Sequence, residues 1–258
     1  MGYWFRLERN SVGEYVRKAI GVDSKVDLFD QSKFELGAAF FPARDEDFES
    51  RGNGTYRLGD RSRLKGKYQT DRAKPFSYEI NFYREDEQLS GAQVAAAVGA
   101  NWRPRDNLNL GIGIGFVDRA GWLLWRDGIN FATYQTNEWR PRFQLEYFPV
   151  VNHQIKLSTQ WVAIRAKRRA NYQLQVNGDP LTAVNDSIAR SEDFALSNLS
   201  LQLRYRWQIA PLSDLYVVYT LNGRQESVSD SFDSLFTDAL RDPLAEQLTI
   251  KLRYRFGS

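Results

Sequence analysis

The end of this chain alternates too strictly to be helical. Between 246 and 256, Leu248, Ile250, Leu252, Tyr254 and Phe256 alternate with Thr249, Lys251, Arg253 and Arg255. Successive strand side chains point to opposite faces, so one face is wholly apolar and aromatic while the other carries three cations. The stretch 197–209 repeats the pattern, with Leu199, Leu201, Leu203, Tyr205, Trp207 and Ile209 against Ser200, Gln202, Arg204, Arg206 and Gln208. Both runs exceed the ~5–6 residues usual in globular strands and suit the ~9–11 of a tilted membrane-spanning strand. Their apolar faces end in Tyr205-Trp207 and Tyr254-Phe256, where an aromatic girdle meets the lipid–water boundary.

The same alternation recurs upstream. Leu108 to Phe116 alternates with Asn107, Asn109 and Gly111, Gly113 and Gly115, and Val94 to Trp102 gives a second apolar face. Phe76 to Phe82, Phe143 to Tyr147 and Ile155 to Trp161 give three more, with weaker candidates at 62–70, 52–59, 33–42 and 2–9. Reading back from the C-terminus, links alternate long (223–245, 166–196, 118–137) and short (210–212, 149–152, 104–106). Bacterial barrels have short periplasmic turns and long extracellular loops. The expectation is therefore an all-β, antiparallel up-and-down transmembrane β-barrel of about twelve strands, in the cell outer membrane, with a periplasmic C-terminus. Trp102, Trp161, Tyr205 and Trp207 are the expected lipid-interface aromatics.

Two stretches read as short loop helices. Ser11 and Glu14 make a capping box ahead of Val12, Tyr15, Val16, Ala19 and Ile20, with Gly21 to close it. Phe232, Leu235, Phe236, Ala239 and Leu240 form the second stripe, before Asp242-Pro243.

Composition agrees and narrows the classes. No window approaches 18 consecutive apolar residues, which excludes a transmembrane helix. Low mean hydropathy (−0.53) is compatible with spanning strands, because every second residue faces the lumen. There are no cysteines, so disulfides and thiolate chemistry are absent. The 35 basic and 32 acidic residues are interspersed, unlike the concentrated basic face of a nucleic-acid binder; Lys167, Arg168 and Arg169 read as a solvated loop. Met1 leads straight into strand-like residues without a secretory signal. An exported protein needs one, so the expectation is a single barrel domain over 1–258 that forms the C-terminal part of a longer protein.

The runs Leu199–Trp207 (LSLQLRYRW), Ile209–Tyr219 (IAPLSDLYVVY) and Leu248–Phe256 (LTIKLRYRF) resemble a family of bacterial outer-membrane barrel domains of uncharacterised function. Asp71–Pro75, after Arg51–Gly54, resembles an earlier stretch of the same domain. The family commonly follows a family 9 carbohydrate-binding-like domain, which this sequence lacks together with the start of the barrel. The resemblance specifies architecture and implies a link to carbohydrate. Tyr254 and Phe256 resemble the C-terminal aromatic signal read by the barrel assembly machinery, although Gly257-Ser258 follow it.

No catalytic set emerges. His153 is the only histidine, beside a short turn, and no nucleophile is tied to it. Asp45, Glu46, Asp47 and Glu49 lack the spacing of a Ca²⁺ loop, and they read as solvated, as do Glu85, Asp86 and Glu87. Gly111, Gly113 and Gly115 lie within a strand, not at the start of a helix, and make room for a neighbouring side chain more simply than they hold phosphate. The set that stands out is the inward cations: Arg142, Lys156, Arg204, Arg206, Lys251, Arg253 and Arg255. A ring of cations favours anionic solutes; a salt-bridge ladder, with Glu146 among its carboxylates, would instead stiffen the wall. No metal or cofactor is expected. The expected partners are outer-membrane lipid, the assembly machinery and a carbohydrate or anionic solute. Three functional readings stand: a pore or uptake component, a non-conducting anchor for a missing sugar-binding domain, and an outer-membrane or soluble hydrolase.

Overall fold

The computed structural model describes residues 1–175, 178–184, 193–227 and 231–256. The first half holds β1 (Gly2–Arg9), β2 (Tyr15–Asp27), β3 (Lys33–Phe41), β4 (Arg44–Glu46), β5 (Tyr56–Leu58), β6 (Arg61–Gln69), β7 (Phe76–Asp86) and β8 (Ala92–Arg105). The second holds β9 (Leu108–Asp127), β10 (Asn130–Trp139), β11 (Arg142–Tyr147), β12 (His153–Gln173), β13 (Thr182–Val184), β14 (Phe194–Ala210) and β15 (Ser213–Ser227). The helix α1 (Phe232–Arg241) and the strand β16 (Ala245–Arg253) complete the chain.

The strands pair antiparallel in the order β1-β2-β3-β6-β7-β8-β9-β10-β12-β14-β15-β16, an up-and-down barrel wall of twelve positions, as expected. β10 and β11 share one position between β9 and β12. They part at Arg140-Pro141, where proline has no N–H to give to the ladder. β4 and β5 form a separate two-stranded ribbon, so the expected 52–59 strand lies outside the wall. Its place is taken by β2. β1 and β16 are the two edges of the wall and do not pair with each other among the described residues.

Register sorts the side chains into two surfaces. Trp102, Leu110, Leu145, Leu157, Leu203, Tyr219 and Leu248 lie in one cross-strand row. One residue along each strand, the opposite face carries Asn101, Gly111, Gln144, Ser158, Gln202, Thr220 and Gln247 in the next row. The apolar face is open to its surroundings, with Leu248, Ile250 and Leu252 each more than 60% exposed. Along β9 it runs from Leu108 to Phe116 and ends at Asp118, which accepts a hydrogen bond from Asn137 Nδ2 (2.6 Å). Eight residue steps make about 26 Å of strand, or about 20 Å of height at a tilt of ~40°, close to the ~25 Å apolar band of an outer-membrane barrel.

The ribbon shows which face is concave. At one side Asp47 accepts from Asn10 Nδ2 (2.9 Å) and Thr55 Oγ1 donates to Glu14 (3.2 Å), next to β1 and β2. At the other, Tyr56 packs edge-on against Phe131 of β10 (5.5 Å) and the Arg57 N–H donates to the Asp179 carbonyl (3.4 Å). β2 and β10 are separated by five strands along the wall, so the wall curls and the ribbon crosses its mouth. Between these anchors, Glu49 and Gln88 line a hollow with Arg61, Glu85, Gln93 and Arg119 of the polar face. The polar face is therefore the concave one. α1 packs on the other, convex face, where Leu235 and Ala239 bury against Ala163, Ala195, Leu199 and Leu221. No described helix is long and apolar enough to cross a membrane.

Several expectations need correction. The helix expected over 12–20 is β2. Asn10 Oδ1 accepts from the N–H groups of Val12 (3.2 Å) and Glu14 (2.9 Å) and makes a turn instead of a helix start. β2 then pairs on both sides, with β1 and β3, and this cross-strand pairing overrides the helical stripe. The second helix is α1, as expected. The link expected over 118–137 is mostly strand, because β9 and β10 overrun the apolar band and turn at 128–129. Lys167, Arg168 and Arg169 belong to β12, not to a loop, and the Arg168 N–H donates to Asp193 (2.8 Å). The acidic run 45–49 is not solvated throughout: Glu46 is buried, pairs with Arg44 (2.7 Å) and accepts from the Phe48 N–H (3.1 Å). Parts of the links 174–193 and 228–244, and Gly257-Ser258, lie outside the described residues.

Candidate functional site: the polar concave wall

The concave face is built from inward positions that alternate with the apolar ones, and its chemistry is organised in rows. Glu79, Gly99, Gly113 and Arg142 are register partners across β7, β8, β9 and β11. With two glycines between them, Glu79 and Arg142 reach across β8 and β9 and pair at 3.2 Å. A Cβ on Gly113 would lie 2.4 Å from Arg142 Nε, so the glycine holds space for the guanidinium. This is the room-making role expected for the β9 glycines. Asp23, Gly37 and Lys65 repeat the device across β2, β3 and β6, with a 2.9 Å ion pair passing over the glycine.

Glu79 also meets Arg72 (3.2 Å) and Lys67 (3.7 Å), so one carboxylate serves three cations. Nearer the short turns, Glu146 pairs with Lys156 (2.9 Å) and Asp214 with Arg206 (2.9 Å). Three of the expected lumen cations, Arg142, Lys156 and Arg206, are thus members of a salt-bridge ladder. Arg204 donates to Gln202 Oε1 (3.2 Å). Lys251 and Arg253 lie on the exposed edge strand β16. Arg255 follows that strand, and its backbone N–H donates to Ser213 Oγ (3.0 Å).

Beside Glu79 and Arg142 the wall forms an open hollow of about 540 Å³. Gly99 and Gly111 give it a floor without side chains, and Asn101, Gln144, Arg72 and Arg142 rim it. Glu79, Asn101 and Gln144 went unremarked in the sequence. The signal was their inward parity: Glu79 alternates with Tyr78 and Ile80, and Gln144 with Phe143 and Leu145.

The mouth above this wall is covered by the ribbon. Tyr56 and Leu58 are fully buried with Leu123, Phe131, Leu174 and Leu181, and the Tyr56 hydroxyl donates to Gln88 Oε1 (3.3 Å). Burial, reinforced by Glu46, raises the Tyr56 phenol well above its ordinary value. Burial likewise raises the Glu87 carboxyl, and Arg119 offsets part of the rise.

The expected interface aromatics lie on the convex face at its two ends. Trp102, Tyr205 and Trp207 sit near the short turns. There His153 stacks on Trp207 (5.6 Å) and its Nδ1 is 2.6 Å from the Tyr205 hydroxyl, so the lone histidine belongs to a surface aromatic cluster. Trp161 lies toward the long-link end, where its indole N–H donates to Ser197 Oγ (2.8 Å) and Phe236 of α1 meets it edge-on (5.1 Å). Tyr254 and Phe256 pack together at 5.0 Å.

A family described as a domain of unknown function (DUF5916) matches residues 3–256. No curated protein matches the sequence. Among solved structures, the NanC porin aligns with 80% of this chain and 81% of its own, at 9% identity and a TM-score of 0.30. BauA, the ferric preacinetobactin receptor from Acinetobacter baumannii, aligns with 97% of this chain at 9% identity and a TM-score of 0.44; the alignment spans 43% of the receptor's length.

Proposed function

The chain belongs to the DUF5916 family, and we propose that it is a bacterial outer-membrane β-barrel wall whose polar concave face passes or docks small polar solutes. The observation that carries this reading is the two-faced register. Twelve strands present an exposed apolar surface on one side and charges, amides and glycines on the other. A surface of that extent is far beyond the apolar patches of water-soluble monomers, and it suits hydrocarbon. The short-turn end, where β16 finishes, is then periplasmic, and Tyr254 and Phe256 are offered to the assembly machinery. The solute is anionic or carbohydrate-related, in keeping with the cations that surround Glu79.

Unpaired strand edges are not tolerated in hydrocarbon. The wall therefore closes through β1 and β16, either directly or with an even number of further antiparallel strands. We read the chain as a barrel segment of a longer protein, because β16 is exposed along its whole length, Lys251 and Arg253 included. A second reading, a non-conducting anchor, is favoured by the ribbon across the mouth. Heat-modifiable, urea-resistant migration in detergent gels supports both readings, and a protein soluble without detergent overturns both. Conductance steps in planar bilayers support the pore; a folded, inserted barrel without them leaves the anchor.

A further inference from the structure

The ion pairs of the concave wall are internally matched, and one row beside them is different. From Asn101 the row runs through Gln144, Ser158 and Gln202 to Thr220 and Gln247, one inward residue per strand position, all in direct cross-strand register. Only β9 interrupts it, with Gly111. No member carries a charge. The adjacent row toward the mouth continues the same chemistry over β12, β14 and β15 with Gln160, Ser200 and Asn222.

Three features separate this row from ordinary solvated lining. Its amides and hydroxyls each both donate and accept, whereas the rows on the short-turn side hold ion pairs already satisfied within the wall (Glu146–Lys156 and Arg206–Asp214). Gln202 takes a hydrogen bond from Arg204. The side chains of Asn101, Gln144, Ser158, Thr220 and Gln247 have no hydrogen-bond partner among the described residues, so their capacity faces the lumen. Finally, Gly99 and Gly111 remove side chains beside Asn101 and Gln144, which sets these amides at the edge of the 540 Å³ hollow. Six strand intervals at about 4.8 Å make a contour of about 29 Å, long enough for several sugar units end to end.

We propose that this row is a binding track for an uncharged, polyhydroxylated solute of the linear oligosaccharide class, an inference that rests on the polar-lumen reading above. Hydroxyl groups, which both donate and accept, match the row's amides and hydroxyls one for one. A polyether of equal length can only accept, so it leaves the amide N–H groups partly unmatched. An array built to hydrogen-bond hydroxyls rejects an analogue that lacks them.

Calorimetric titration of the detergent-solubilised protein with maltohexaose tests this without requiring conduction, with a polyethylene glycol of similar length as the control. Maltohexaose is expected to bind and the polyether not. Gln144→Ala and Gln202→Ala are each expected to weaken binding about 2- to 12-fold, the worth of one net hydrogen bond. Heat-modifiable migration confirms that each variant is folded, and Gln144→Glu, which keeps the size but adds charge, should weaken binding as well. Equal response to the two probes, or folded variants that bind like the parent, overturns the track. Sugar binding without bilayer conductance would overturn the pore and leave the track standing; conductance without sugar binding would do the reverse.

Discussion

Replacing Gly223 with alanine should detach α1 from the wall, and the geometry sets the size of the effect. A Cβ at position 223 would lie 2.0 Å from the Ala239 carbonyl oxygen, 2.8 Å from its carbon and 3.2 Å from its Cα. All three are backbone atoms of the helix, so no side-chain rotation relieves the clash. Recovering a C···O approach of about 3.3 Å moves α1 outward by roughly 1.3 Å. That shift loosens the burial of Leu235 and Ala239, the Trp161–Phe236 contact at 5.1 Å and the 2.9 Å hydrogen bond from Ser197 Oγ to the Leu235 carbonyl. Overpacking against an unyielding neighbour costs ~1–3 kcal/mol. If the helix opens locally, amide-exchange protection over 232–241 should fall about 5- to 150-fold. Gly113→Ala is the internal control. Its Cβ also meets an atom at 2.4 Å, but that atom is Arg142 Nε on a flexible side chain. Losing the half-exposed Arg142–Glu79 pair costs ~0–1 kcal/mol, and the better strand residue offsets much of that. Equal exchange protection of α1 in Gly223→Ala and the parent would show that the Ala239 backbone does not hold α1 against position 223.

Other outcomes follow from the wall and the ribbon. Glu79→Gln removes the carboxylate shared by Arg72, Arg142 and Lys67, and bilayer reversal potentials in a salt gradient should shift toward anion selectivity. Tyr56→Ala empties the fully buried centre of the ribbon cluster, at ~3–5 kcal/mol by analogy with other aromatic truncations; trypsin should then cut at Arg51 or Arg57 while the strands stay protected. Partial burial raises the Glu87 carboxyl above its ordinary 4.5, so the folded mouth binds its proton more tightly than the unfolded chain does. Its contribution is fully present below 4.5 and is lost as pH rises through the raised folded value. Ribbon protection measured against pH should fall across that interval, and Glu87→Gln should abolish the dependence.

The wall was legible because its signal is local. Alternation within one strand names the face of Leu203 or Arg204 without reference to a partner, and the strand count came close for the same reason. What failed depended on distant pairing. Val12 to Ile20 has both a helical stripe and the residues of a strand, and only pairing with Phe5 and Phe40 on either side of Ile20 decides between them. The 118–137 stretch reads as a loop because its polar residues belong to the ends of β9 and β10, beyond the apolar run from Leu108 to Phe116, where the alternation gives no apolar face to follow. The cations Arg142, Lys156 and Arg206 were visible, and Glu146 was foreseen as a partner. Glu79 and Asp214 were not, since Glu79 reaches Arg142 over two strands through glycines whose role appears only in register. The uncharged row was hidden for that same reason, because each of its members lies on a different strand.

If the chain is an outer-membrane barrel wall, its convex face lies in lipid and its concave face in water. The chain has no cysteine, so single cysteines can be placed at will. The direct measurement is labelling by a water-soluble maleimide in reconstituted outer-membrane vesicles along Leu199–Arg206 and Thr249–Leu252. Labelling should alternate: cysteines at Ser200, Gln202, Arg204 and Lys251 react, while those at Leu201, Leu203, Ile250 and Leu252 are shielded until detergent is added. Equal reactivity on both faces of the folded protein would contradict it.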